Sequence, residues 1–106
     1  MDKEELKKER EKAFREWFEK WFSESKEFKN INEKIKEANL EGYTDMKIEL
    51  KYKAKQPKVR LDSELLLECI KEKLPGLKVI VYALMDMRTI KVIGRKVVIV
   101  WGKDDI

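Results

Sequence analysis

"RTIKVIGRKVVIVW", residues 88–101, decides how many strands the chain makes. Its centre, Gly94-Arg95, reads as a two-residue hairpin turn with glycine in the first central position. That turn sets a register in which Val92 opposes Val97, Ile90 opposes Ile99 and Arg88 opposes Trp101. One hairpin face then carries Ile90, Val92, Val97, Ile99 and Trp101. The other mixes Lys91 and Lys96 with Val98 and Val100.

Upstream, residues 78–85 alternate as a third strand, with Val79, Val81, Ala83 and Met85 on one side and Ile80, Tyr82 and Leu84 on the other. "MKIELKYK", residues 46–53, has the same period of two: Met46, Ile48, Leu50 and Tyr52 face one way, and Lys47, Glu49, Lys51 and Lys53 the other. Between these two strands, "LDSELLLECIKEKLPG" (61–76) reads as a short helix. Asp62 or Ser63 can cap it, leucines and Ile70 pack it, and Pro75-Gly76 ends it. The strand–helix–strand order predicts a crossover with those two strands parallel. The last two strands are expected to be antiparallel.

The first part of the chain is helical. On a 100° wheel, Phe14, Trp17, Phe18, Trp21 and Phe22 fall in one arc of about 140°. The next apolar set, Phe28, Ile31, Ile35 and Ala38, is out of phase with that arc, which predicts a break near residues 23–26. Gly42 closes the second helix. The expected fold is therefore one α+β domain over residues 1–106. It has a long aromatic-faced N-terminal helix, then β-α-β-β-β with a four-stranded mixed sheet ending in a hairpin, and helices on one face of the sheet or on both. The aromatic arc is the natural cover for the sheet's apolar face, with part of Trp17, Trp21 and Phe22 left for a neighbouring subunit.

Composition narrows the class. Of 106 residues, 42% are apolar, enough for a core, and 43% are charged, well above the common quarter. Abundant Lys and Glu with no His is a thermophile-like balance. One cysteine makes no internal disulfide, which fits an intracellular, cytoplasmic protein. Cys69, among leucines and with no histidine to activate it, reads as a buried inert thiol. The longest apolar run, residues 79–85, is far short of the ~20 residues that cross a bilayer, so no membrane role is expected.

No catalytic site, cofactor or metal centre is expected: there is no imidazole base and no glycine-rich phosphate loop. "DMKIELK" (45–51) has the acid…Glu-x-Lys spacing of metal-dependent nucleases, in which carboxylates hold Mg²⁺ and lysine steadies the phosphate. Yet Asp45 and Glu49 share one strand, and an acid two residues before a lysine recurs throughout so charged a chain. A nuclease is kept as a further alternative.

Charge is distributed unevenly. Residues 1–42 hold 11 basic and 12 acidic groups, whereas residues 43–106 hold 14 and 9. "KYKAKQPKVR" (51–60) has five cations and no anion. Lys51, Lys53, Lys55, Lys58 and Arg60, joined by Arg88, Lys91, Arg95 and Lys96, are the expected contacts for the phosphate backbone of DNA or RNA. The reading is a non-enzymatic, homodimeric accessory protein that binds nucleic acid without sequence preference. The alternative is a protein–protein module acting through Trp17, Trp21 and Phe22, or through the strip Ile80, Tyr82, Leu84, Val98 and Val100.

"KIKEANLEGYTDMKIEL" (34–50), with a capped helix and a final strand ending "VVIVW" (97–101), resembles small uncharacterised α+β proteins encoded by phages and archaeal viruses. A viral origin would place the chain inside a host cell, where the protein–protein alternative would make it an adaptor or an inhibitor of a host protein. The resemblance carries no invariant functional motif and assigns no residue a role.

Overall fold

The computed structural model describes residues 2–102. Helix α1 (Lys3–Glu24) starts on Asp2, whose carboxylate accepts from the Glu5 N–H at 2.8 Å, with Glu4 and Glu5 complementing the helix dipole. It ends at Ser25, inside the stretch where the phase slip predicted a break. Ser25 Oγ accepts from the Phe28 N–H at 3.2 Å and turns the chain so that Phe28 packs on Trp21 and Phe22. Helix α2 (Ile31–Leu40) follows and is closed by Gly42, whose φ of 101° suits glycine.

Strand β1 (Asp45–Lys51) leads through a loop into the short helix α3 (Lys58–Asp62), where the sequence had suggested only a connection. Ser63 Oγ then caps α4 (Glu64–Lys73) by accepting from the Leu65 N–H at 3.2 Å. Strands β2 (Lys78–Asp86) and β3 (Lys91–Val100) follow.

The hairpin turn is not at Gly94-Arg95. β3 runs unbroken through both residues, and among the described residues the sheet has three strands, not four, in the order β1-β3-β2, every pairing antiparallel. β1 and β2 do point the same way, as the crossover required, but β3 lies between them and they are not neighbours. Val97 therefore sits between Ile48 and Val81 rather than opposite Val92, and Ile99 sits between Met46 and Val79 rather than opposite Ile90.

Gly94 has a different task. A Cβ there would overlap the Leu50 carbonyl oxygen and stand 2.8 Å from the Lys51 Cα. It lies beside the bulge at Leu84/Met85, where the strands approach closely. The chain reverses instead over residues 87–90, where Asp86 accepts the Arg88 N–H through its side chain and the Ile90 N–H through its carbonyl. Ile90 takes φ 55°, a left-handed conformation that a β-branched side chain resists by ~1–2 kcal/mol, and it is exposed. Ile90→Gly is expected to raise stability by about 1 kcal/mol, read as a higher denaturant midpoint with unchanged slope.

Helices cover one face of the sheet. Phe14, Phe18, Phe28, Ile31, Ile35, Leu66, Ile70 and Leu74 meet Ile48, Leu50, Val79, Val97 and Ile99 in a single core. Each large side chain buried there contributes ~2–3 kcal/mol of transfer free energy. No described helix lies over the opposite face. By register it presents Asp45, Lys47, Glu49 and Lys51 on β1, Lys96, Val98 and Val100 on β3, and Lys78, Ile80, Tyr82 and Leu84 on β2.

Candidate nucleic-acid interface

The basic stretch 51–60 leaves the sheet at Lys51, with the Tyr52 N–H still bonded to the Ile93 carbonyl, and wraps to the helix side. Asp62 anchors it there. Its carboxylate accepts from the Tyr52 hydroxyl at 2.6 Å and pairs with Arg95 at 3.0 Å. The hydrogen bond to Asp62 holds the Tyr52 phenol above its ordinary pKa, with partial burial and the carboxylate's charge acting in the same direction. Arg95 and Tyr52 thus occupy the Asp62 carboxylate. Lys53, Lys55 and Lys58 are exposed and form no ion pair among the described residues.

The loop meets the aromatic helix. The Arg60 guanidinium stands 5.0 Å over the Trp17 ring, and Trp17 stacks on Trp21 with centroids 5.1 Å apart. Beside these two indoles runs a groove of about 430 Å³ lined by Trp17, Lys20, Trp21, Glu24, Lys26 and Lys53, among others. On the other flank of Arg60 is a second hollow of about 310 Å³, walled by Arg10, Phe14, Val59 and Leu65. The two sequence features that looked separate, the aromatic stretch and the cationic stretch, therefore adjoin.

Not every expected cation joins them. Arg95 lies within β3 on the helix-covered side, and its side chain is 22% exposed and paired with Asp62, so it is no turn residue free for phosphate. Lys53 is on the helix side and not with Lys47 on the open face, because the strand ends at Lys51 before the alternation reaches it. Lys51 and Lys96 are on the open face, where Lys96 stands between Glu49 and Tyr82. Lys91 is opposite Asp86 at the far end of the hairpin, and Arg88 is in its turn. The nine candidates are therefore dispersed over the 51–60 loop, the open face and the far end of the hairpin, with Arg95 paired on the covered face, rather than gathered in one zone. Lys58, though exposed, holds its ammonium 5.3 Å from the Tyr52 ring centre.

Sequence reading missed Lys20 and Lys26. The signal for Lys20 was available, since a residue three positions after Trp17 neighbours it on a helix. Lys26 is placed by the Ser25 turn, which periodicity does not describe.

The aromatic set divides as its exposure dictates. Phe14 and Phe18 are buried, while Trp17, Trp21 and Phe22 are half-buried against the same core. Tyr82 is 51% exposed on the open face. Cys69 is buried in α4, and burial pushes its thiol pKa up although Arg15, donating to Sγ at 3.6 Å, pulls the other way. A raised thiol pKa leaves little thiolate for nucleophilic work. Asp45 and Glu49 face the same side of one edge strand, and no group of three or more metal-ligating side chains gathers among the described residues. No described helix is long and apolar enough to cross a membrane. No protein-family model matches the chain, and none of the curated proteins or solved structures gives a significant match.

Proposed function

We propose that this chain is a non-enzymatic protein that binds single-stranded nucleic acid, without sequence preference, along the groove between α1 and the 51–60 loop. The observation that carries this reading is the stacked Trp17–Trp21 pair bordered by Lys20, Lys26, Lys53 and Arg60. Single strands are held by this combination: cations track the phosphates, and bases stack on aromatic faces at about 1–3 kcal/mol each. Duplex presents no base faces, so it gains only the electrostatic part. Glu24 and Glu27 also line the groove, which keeps its net charge modest and its affinity dependent on the loop lysines.

The alternative, a protein-binding patch made of Trp17, Trp21 and Phe22, shares the two half-buried indoles, and the cations that border them are what favour a polyanion over an apolar partner. Titrating a homopolymeric oligonucleotide while following tryptophan fluorescence tests the proposal. With four phosphates neutralised, affinity is expected to fall about fiftyfold between roughly 50 and 200 mM salt. Combining Lys53→Glu, Lys55→Glu and Lys58→Glu is expected to weaken binding more than about a hundredfold while far-UV circular dichroism is unchanged. An affinity indifferent to salt and to these reversals removes the proposal.

A further inference from the structure

β1 is an edge strand with β3 on one side. The hydrogen bonds that continue its ladder, Tyr52 N–H to the Ile93 carbonyl and Trp101 N–H to the Thr44 carbonyl, show which residues face inward. In this antiparallel pairing the even-numbered residues bond to β3, so Asp45, Lys47, Glu49 and Lys51 point their backbone groups outward. No described residue bonds to those outward groups. Their side chains share the open face, and those of Lys47, Glu49 and Lys51 are exposed.

The order of charges along this edge, Asp45, Lys47, Glu49, Lys51, is inverted by reversal: read backwards, each sign becomes its opposite. A two-fold axis through Ile48 applies that reversal. It sets Asp45 of one copy opposite Lys51 of the next, and Lys47 opposite Glu49, so four cross-strand pairs are all of opposite charge. The same register pairs odd residues with odd residues, where the free N–H and C=O groups are, and allows up to about eight new backbone hydrogen bonds. On the covered face it brings Ile48 against Ile48 and Met46 against Leu50, continuing the apolar row. A slip of two residues either way sets Lys47 against Lys51 with Glu49 against itself, or Asp45 against Glu49 with Lys47 against itself. Every pair is then of like charge, which is unfavourable across strands. An isologous interface must be complementary to itself under rotation, and this strand meets that condition in one central register.

We infer that the β1 edge is a self-recognition surface, joining two copies into one antiparallel six-stranded sheet with β1 against β1 at its centre. The inference is independent of the nucleic-acid reading, since the Trp17–Trp21 groove and Lys53 lie outside the paired residues.

Sedimentation equilibrium of the full chain at low salt is expected to give twice the 12.7 kDa chain mass. Lys47→Glu alone and Glu49→Lys alone each create two like-charge pairs in the homodimer and are expected to weaken it at least about tenfold. Mixing the two single variants restores opposite charges at both pairs, so a heterodimer is expected to form in preference to either homodimer. Carrying both substitutions in one chain is expected to restore the homodimer. Lys47→Pro removes an outward N–H without touching the β3 ladder, and is expected to give a folded single chain. A wild type that stays at the single-chain mass at every attainable concentration overturns the inference. So does a dimer that is insensitive to Lys47→Pro, with no preference for the mixed pair.

Discussion

Gly94→Ala is expected to destabilise the protein by roughly 3 kcal/mol, a large part of the ~5–15 kcal/mol that holds a typical domain together. The new methyl group would meet the backbone of β1, at the Leu50 carbonyl oxygen and the Lys51 Cα, rather than the end of a movable side chain. Relief requires the central strand to part from β1 at the point where Lys51 pairs with Gly94. Chemical denaturation read by far-UV circular dichroism checks this, as a midpoint shift toward lower denaturant. Had Gly94 been the tip of a hairpin, the same substitution would have perturbed a solvent-facing turn and cost far less.

The second large effect belongs to the aromatic helix. Phe18 is 1% exposed and makes ring contacts with Phe14, Trp21 and Phe22 at centroid distances of 6.4, 5.9 and 5.3 Å. Phe18→Ala is expected to cost about 4 kcal/mol, combining lost transfer free energy with the cavity left among rings that cannot close over it. Phe22→Ala, at a half-buried ring on the rim of the same cluster, is expected to cost less than half as much. Equal losses at the two positions would mean that the cluster collapses as a unit. The ratio of midpoint shifts is the quantity to measure.

Much of this architecture was legible in the residues. The phase slip after Phe22 gave the break between α1 and α2, because a rigid helix cannot keep two out-of-phase apolar sets on one face. The alternation of Met46, Ile48 and Leu50 gave β1, and the 61–76 stretch gave α4 with its Ser63 cap. The failure at residues 86–95 has a local physical cause. Glycine is wanted both where the backbone needs positive φ and where a neighbouring strand comes too close for a side chain. At Gly94 the second reason operates. The real turn puts Ile90, a poor choice on propensity, in the left-handed region, and holds it there with hydrogen bonds to Asp86. Tertiary pairing won over local turn chemistry, since an unbroken β3 pairs along its length with two strands instead of one.

The candidate site was half legible. Both halves of the groove were visible as unusual compositions, but nothing in either stretch states that they adjoin. Asp62 decides that. As the C-terminal residue of α3 it ties Tyr52 and Arg95 together and so folds the cationic loop back over Trp17. Its reach across to β3 is a long-range contact, of a kind that periodicity cannot reveal.

Because the strand made last is the one in the middle, a ribosome that has released residues 1–90 has delivered two strands with nothing to join them. α1 can wind early, yet its buried aromatic side chains have no finished sheet to lie on until Val97 and Ile99 emerge. Assembly of the sheet must therefore wait for β3, and a nascent chain stalled short of it would hold the greasy sides of β1 and β2 open to chaperones.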